Sequence, residues 1–599
     1  MRRLLLGACA ALALLGIGTA GPATVERAAS ATRPEPAKEA VAVGTGGAAA
    51  SVDPIATQTA IRILDRGGNA VDAAVAAAAM LGVVEPYSCG IGGGGFMVIY
   101  RASDHRVITI DSRETAPQAF RPDSFIDPNT GQPIPFAEAV TSGLGVGVPG
   151  TLLAWRDAAR RYGTMNLSRL LAPAISRAAG GFTVDQTFHD QTVDNLARFR
   201  DFTSTREVFL TPSGDPYPVG STFRNPELAD TYGVIADEGI PPFYTGEIAQ
   251  AIVDTVKHPP LRLGATRNVR PGLMELGDLA GYRAPERPPT VIHYRGLTVY
   301  GMGPPSSGGS TVGEALNILE GYDLAGMDRV HALHLYLEAS ALGFADRNQY
   351  LGDPDYVDVP LAGLLSDGYA AERRELIDPE VAKEPFPAGN PTDNGGPSTT
   401  HLTVSDRVGN IVTYTFTNEQ IGGSGITVPG YGFLLNNELT DFNFTAGTAN
   451  SPASGKRPRS SMSPTLVFSG DSPVLALGSP GGATIITTVL QILLNRFDFG
   501  MTLPEAIAAP RASQRNSSAT QAEPAFIASP EAQALTTMGH SFASVAEIGA
   551  ATGIAFLPDG FVQAVAEPVR RGGGSAMVQE PAGTVTTTTT FRRLPAGMR

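Results

Sequence analysis

The sequence predicts a mixed α/β fold of the α+β kind, and three observations carry that reading. Between about residues 150 and 376 the chain alternates amphipathic helical stretches with Pro and Gly turns, as in 151 to 162 and 330 to 350. On either side lie short β-rich runs, at 96 to 100, 401 to 404 and 411 to 417. The composition agrees: 599 residues, 42% hydrophobic and 17% charged, hold enough apolar material for a large core, and 69 Gly with 47 Pro supply many turns. Domain number stays open, because large mixed folds exceed the usual divisor of roughly 150 residues per domain. The 44 basic and 58 acidic residues give a formal charge of 44 − 58 = −14, which argues against nucleic acid as a partner.

At the N-terminus, Met1-Arg2-Arg3 and the apolar residues 4 to 20 have the two regions of a secretory signal, with Gly18-Thr19-Ala20 as small residues for cleavage. A membrane anchor fits less well, since this run contains three glycines and its roughly 17 residues sit at the short limit of a span. Residues 21 to 45 read as a flexible leader rich in Ala, Pro and Glu. Nothing later approaches a span, so the processed chain is expected to be secreted or extracytoplasmic, without a stable membrane span. Of the two cysteines, Cys9 falls in the removable segment, which excludes an intramolecular disulfide framework and leaves Cys89 as a small buried residue.

Asp53-Pro54 fits an N-cap followed by an N1 proline, opening a helix to Asp65 that Gly67-Gly68 stops. Residues 71 to 81 read as a second helix, apolar nearly all round and therefore buried. The run from Asp378 to Pro397 is rich in Pro, Gly, Asn and Asp without an apolar period and reads as an exposed linker. The mixed pattern resumes at 473 to 477, 485 to 494 and 553 to 556, and the residues from 580 to 599 read as a disordered tail.

Two patterns are set aside on physical grounds. Gly90-x-Gly92-x-x-Gly95 and Gly145-x-Gly147-x-x-Gly150 match the dinucleotide fingerprint, but the first follows a helix and precedes a strand, the wrong order, and neither has the acidic residue some twenty positions on. His331 and His334 with Glu338 have metal-ligand spacing on one helix face, yet without another His cluster they read as an ordinary helix surface. No cofactor site and no metal site is therefore expected.

The segment that carries chemistry is Ser398-Thr399-Thr400-His401, where the linker meets a strand. A Thr hydroxyl is a weak nucleophile within a chain. If the bond before it is cut, the new α-amine, with a reference pKa of about 7.7–8.0, serves as its base. Alone, a Thr pair opening a strand is plain β-propensity. It does not stand alone: from about Asp53 to Gly574 the sequence resembles the γ-glutamyltransferase (glutathione hydrolase) family of N-terminal-nucleophile hydrolases. The resemblance rests on an ordered set of motifs: Gly67-Gly68-Asn69-Ala70-Val71-Asp72-Ala73, the run Gly90 to Met97, Asp111-Ser112-Arg113-Glu114, Gly147-Val148-Pro149-Gly150, Pro304-Pro305-Ser306-Ser307-Gly308-Gly309, Thr399-Thr400-His401, Leu435-Asn436-Asn437-Glu438, Pro458 to Pro464, and Gly478-Ser479-Pro480-Gly481-Gly482.

The resemblance implies an αββα sandwich of two stacked antiparallel sheets flanked by helices, built jointly by two subunits of one precursor. The precursor would cut itself between Ser398 and Thr399 into a large subunit, 46 to 398, and a small one, 399 to 599. Thr399 would then attack γ-glutamyl amides, as in glutathione, and pass the acyl group to water or to amino acid and peptide amines, with no metal or organic cofactor. It further implies Gly481 and Gly482 as oxyanion-hole donors and Thr417 as the hydrogen-bond partner of the nucleophile. Arg113, Ser460 and Ser461 would hold the substrate α-carboxylate, and Glu438 and Asp441 the α-ammonium. Two departures stand out. Glu419 occupies a place where many relatives carry Asn, which Asn418 fills only with a one-residue shift. The span from Phe442 to Lys456 is short, which predicts a lidless, open cleft. The rivals are a glutaryl-type β-lactam (cephalosporin) acylase of the same architecture and a non-catalytic secreted binding protein.

Overall fold

The computed structural model describes residues 35–387 and 399–582; the signal segment, residues 21 to 34 of the leader and Ser398 lie outside them. Asp53 accepts from the N–H groups of Ile55 and Ala56 and opens the helix Pro54–Asp65 as its sequence predicts. Asn69 and Asp72 form a reciprocal cap on Ala70–Val84, a helix buried along its whole length.

The main sheet system is antiparallel throughout. One ladder runs Glu286–Arg287, Arg106–Asp111, Gly94–Arg101, Ile411–Thr417, Thr400–Ser405, then the second half of Val41–Ser51. The other runs from the first half of Val41–Ser51 through Val562–Ala566, Thr552–Phe556, Ser472–Gly478, Thr465–Ser469 and Leu297–Gly301 to Thr290–Tyr294. A register shift between Thr45 and Ala48 lets the long strand Val41–Ser51 serve both, with Ser575–Pro581 alongside it.

The two sheets stack, and alternation along each strand decides what faces what. Met97, Ile99, Leu402, Val404, Val412 and Tyr414 pack with the helices Pro54–Asp65, Ala70–Val84 and Thr151–Tyr162. On the far side, Val467, Leu475 and Leu477 pack with Gly308–Glu320, Arg329–Tyr350 and Thr484–Phe497. The layers are therefore helix, sheet, sheet, helix, the αββα sandwich that the resemblance implies. Between the sheets lies His401, whose ring would collide with a Cβ at Gly478, only 2.3 Å from its Cε1. Glycine at 478 is what lets the two layers close here.

Three expectations are corrected at the chain's edges. The strand begins at Val41, inside the leader read as 21 to 45, because residues 41 to 44 pair with 562 to 565. Glu580 and Pro581, placed in the tail, pair with Thr45 and Gly44. The start of the linker is also tied down, Asp378 by His334 and Phe386 by the side chain of Asn516; residues 388 to 398 and 583 to 599 lie outside the described residues.

Candidate active site

Strand register builds the site. Thr400 pairs with Phe416, so Thr399 and Thr417 are the next cross-strand neighbours, both directed, like His401, to the inter-sheet side. Their hydroxyls meet at 3.2 Å. Phe416 pairs in turn with Gly95, and Phe96 with Asp111, so Asp111-Ser112-Arg113-Glu114 leaves its strand at the same end of the sheet. In the facing sheet, Gly301, Thr465 and Leu477 share one row, which delivers three loops to that end: 302–307, 458–464 and 479–483.

These segments enclose a cavity of about 270 Å³ lined by Thr399, Thr417, Glu419, Arg113, Glu438, Asp441, Ser460, Ser461 and Gly482 among others. Gly481 sits immediately behind, and both glycines take positive φ, +138° and +57°. Among the described residues, neither glycine N–H has an acceptor, and the helix Thr484–Phe497 starts just after them with its positive dipole end toward the cavity.

Arg113 is 1% exposed and ion-paired with Glu438 and, at 2.5 Å, with Asp441. Nε and Nη2 also reach the carbonyls of Pro458 and Arg459, which fixes the guanidinium in the wall. The arginine and the two acids, which the sequence reading assigns to opposite ends of a substrate, form one buried network. Glu114 is buried beside it, and burial pushes its carboxyl up to about 8 despite the opposing Arg113 charge.

Glu419 faces the cavity, with φ at +77°, and its N–H donates to Thr417 Oγ1 at 2.8 Å. Asn418 donates to the Pro86 carbonyl and is not part of the lining, so the one-residue shift does not occur. The short span after Phe442 forms one side wall of the cavity. Residues 442 to 445 wall the cavity, Phe444 stacks on Phe125 at 4.1 Å, and Asn450 and Lys456 hold the loop through backbone carbonyls.

The sequence profile of the gamma-glutamyltranspeptidase family matches residues 56–577. The chain belongs to this family. The glutathione hydrolase proenzyme of Bacillus subtilis strain 168 is 39% identical over 552 residues, 89% of this chain and 92% of that one. An acylase ACY 1 proenzyme from Pseudomonas sp. strain V22 is 36% identical over 89% of this chain and 95% of its own. The crystal structure of a cephalosporin acylase from Bacillus halodurans matches with a TM-score of 0.81 and 31% identity, over 91% of this chain and 98% of that one. The protein is an enzyme of the γ-glutamyltransferase and glutathione hydrolase kind, formed as a proenzyme.

Within this member of the γ-glutamyltransferase family, the separate sequence motifs are parts of one scaffold. Asn436 donates to the carbonyls of Gly92 and Gly147, so the two glycine patterns are points of close approach, not phosphate loops. A Cβ on Gly92 would lie 2.1 Å from the Leu434 carbonyl oxygen. Ser306 and Ser307 bond the carbonyls of Met462 and Ser460 and hold the run bearing Ser460 and Ser461.

Sequence reasoning missed three arginines. Arg347, at the end of Arg329–Tyr350, lines the cavity and donates to Ser307 and Ser461 at 2.9 and 2.7 Å; Arg459 lines it too. Arg571 donates to the Thr399 carbonyl at 2.7 Å. Arg347 and Arg571 arrive from distant elements and no local spacing announces them, whereas Arg459 stands beside Ser460 within the Pro458 to Pro464 run. Among the described residues, no helix is long and apolar enough to cross a membrane.

Proposed function

We propose that this enzyme is an exported, self-processing γ-glutamyl hydrolase and transferase with Thr399 as its nucleophile. The observation that carries the reading is the Thr399 hydroxyl beside Thr417 in a cavity whose walls also hold Arg113, Glu419, Glu438 and Asp441. In the precursor the hydroxyl attacks the Ser398 carbonyl, the acyl group shifts from nitrogen to oxygen, and water hydrolyses the ester. The freed α-amine then accepts the hydroxyl proton as Thr399 attacks a γ-glutamyl amide. The tetrahedral oxyanion is held by the N–H groups of Gly481 and Gly482; one such donor typically contributes about 2.7–4 kcal/mol. The leaving amine takes the proton, and the γ-glutamyl ester on Thr399 passes to water or to an amino acid or peptide amine. The positive φ of Thr399, +94°, supports the processing step, since a β-branched residue is strained there and cleavage releases that constraint.

Substrate recognition follows from charge. Arg113, with Ser460 and Ser461 beside it, holds the α-carboxylate, and Glu419, Glu438 and Asp441 face the α-ammonium. The glutathione-like substrate class is supported by the names of the relatives. Export rests on the signal-like segment at residues 1 to 20.

A second reading, a glutaryl-type acylase, is supported by the similarity to cephalosporin acylase. Turnover of a γ-glutamyl anilide against a glutaryl anilide separates the two, since only the first carries an ammonium. The primary test is intact mass with N-terminal sequencing, beside Thr399→Ala. Two chains, the smaller starting Thr399-Thr400-His401 and absent from the variant, are expected. One uncut chain in both refutes the processing step.

A further inference from the structure

Away from the cavity, two buried histidines face each other across the molecule's sequence. His334, on the helix Arg329–Tyr350, and His540 approach at 2.8 Å between Nδ1 of the first and Nε2 of the second. Sequence spacing makes His334 and Glu338 an ordinary helix surface; the structure corrects this, placing both at 0% exposure, with His540 at 2%. His540 arrives from more than 200 residues away, which is why no local cluster was visible.

The outer nitrogens of the two rings are both committed as donors. His334 Nε2 lies 2.7 Å from the Asp378 backbone carbonyl, which can only accept. His540 Nδ1 lies 2.6 Å from Glu384 Oε1, which also accepts from Gln514 at 3.2 Å. With those protons placed, the facing nitrogens both carry lone pairs, and at 2.8 Å they repel unless a cation lies between them. The Glu338 carboxylate completes a triad, with ligand atoms of His334, Glu338 and His540 all within 4.8 Å of one another. The Glu384 side chain, 5% exposed, also lies against the Glu338 carboxyl, so two acids meet beside the rings.

We propose that His334 Nδ1, His540 Nε2 and the Glu338 carboxylate form a binding site for a divalent transition-metal ion of the zinc class, with Glu384 behind it. Imidazole and carboxylate ligands suit zinc, and in metal sites each ligating ring donates its other N–H to a carbonyl or carboxylate, the arrangement seen for both rings here. One dication balances both carboxylates, whereas protons alone require two, one between the rings and one between the acids. Binding needs the ring nitrogens to separate by only about 0.5 Å, to the roughly 3.3 Å expected for two nitrogens on one tetrahedral zinc.

The site joins a helix and the segment 378–384, both upstream of Thr399, to His540 downstream. It would clip the two sides of the Ser398–Thr399 bond together. Metal binding itself does not depend on that bond being cut or on the proposed reaction, so this proposal and the functional one fail separately.

The test is elemental analysis of the full protein as purified, then titration of chelator-stripped protein with Zn²⁺ or Co²⁺ alone. Expected are about one equivalent bound per chain, a visible Co²⁺ band of low-symmetry coordination displaced by Zn²⁺, and proton release on binding. His540→Gln and Glu338→Gln, with unchanged circular dichroism, are expected to lose the band. Uptake below about 0.1 equivalent by the stripped wild-type protein, in a folded state, overturns the proposal whatever the variants do. A band retained in the doubly substituted His334→Gln, His540→Gln protein overturns it as well.

Discussion

The hydroxyls of Thr399 and Thr417 lie 3.2 Å apart because one antiparallel register makes them neighbours across two strands. Thr417 is in turn held by the Glu419 N–H at 2.8 Å, so its oxygen is fixed rather than free to rotate away. Thr417→Val keeps the β-branched shape and removes only the hydroxyl. A hydrogen bond contributing about 1.4 kcal/mol to the reacting arrangement predicts roughly a tenfold loss of kcat/KM, and the Glu419 N–H left without its acceptor predicts a stability loss of about 1–3 kcal/mol. Activity within twofold of wild type would remove Thr417 from the mechanism.

The Arg113 network predicts a split between stability and binding. Arg113→Ala leaves Glu438 buried and unpaired, and breaking such a pair typically costs about 3–5 kcal/mol, read by denaturant unfolding. Arg113→Lys keeps the charge and loses the planar fork that spans Glu438, Asp441 and two carbonyls. Its expected signature is a raised KM for γ-glutamyl substrates in a protein that still folds. An unchanged KM in the lysine variant would mean that Arg113 is structural only.

Much of this architecture was legible in the sequence, for a physical reason. Helix starts such as Asp53-Pro54 and strands such as Ile411–Thr417 are encoded within a few residues, by capping and by alternation. The order of motifs then pointed to Thr399, Arg113, Glu438 and Gly482, which the cavity does bring together. What stayed hidden is whatever depends on distant partners. Glu419 and Asn418 could not be told apart until the turn's φ was known. The burial of His334 depends on His540, and the loop after Phe442 is a wall because Phe125 and Phe136 stand opposite its Phe444.

Glu419 combines a conformational conflict with a chemical one. Its φ of +77° is disfavoured for Glu and better tolerated by Asn, and its carboxylate shares the cavity with those of Glu438 and Asp441. Glu419→Asn is therefore expected to stabilise the fold by about 0.5–1 kcal/mol. Removing one of three charges that face an ammonium should lower the preference for γ-glutamyl over glutaryl anilide by about tenfold. A ratio of the two kcat/KM values that does not move would show that Glu419 takes no part in selecting the substrate.

His401 predicts an acid limit on stability. Its ring is buried between the sheets, with Nδ1 at 2.8 Å from the Thr415 hydroxyl and Nε2 at 3.1 and 3.2 Å from those of Thr403 and Thr413. Burial drives its pKa down from 6.5 to about 3, so in the folded protein the ring stays neutral. Above pH 6.5 both folded and unfolded chains carry it neutral, and no linkage arises. Between pH 6.5 and 3 the unfolded chain binds a proton that the folded chain refuses, so stability falls as pH falls, by about 1.4 kcal/mol per unit. From pH 7.5 to 5 that amounts to about 2 kcal/mol. Other groups titrate in the same window, Glu114 among them with the opposite sign, so the comparison must be between proteins differing only at this position. Denaturant unfolding at the two pH values, in the uncleaved Thr399→Ala background with and without His401→Gln, isolates it. The protein retaining His401 is expected to lose about 2 kcal/mol more than the glutamine variant on acidification, and equal losses would show that the ring is not the acid-sensitive group.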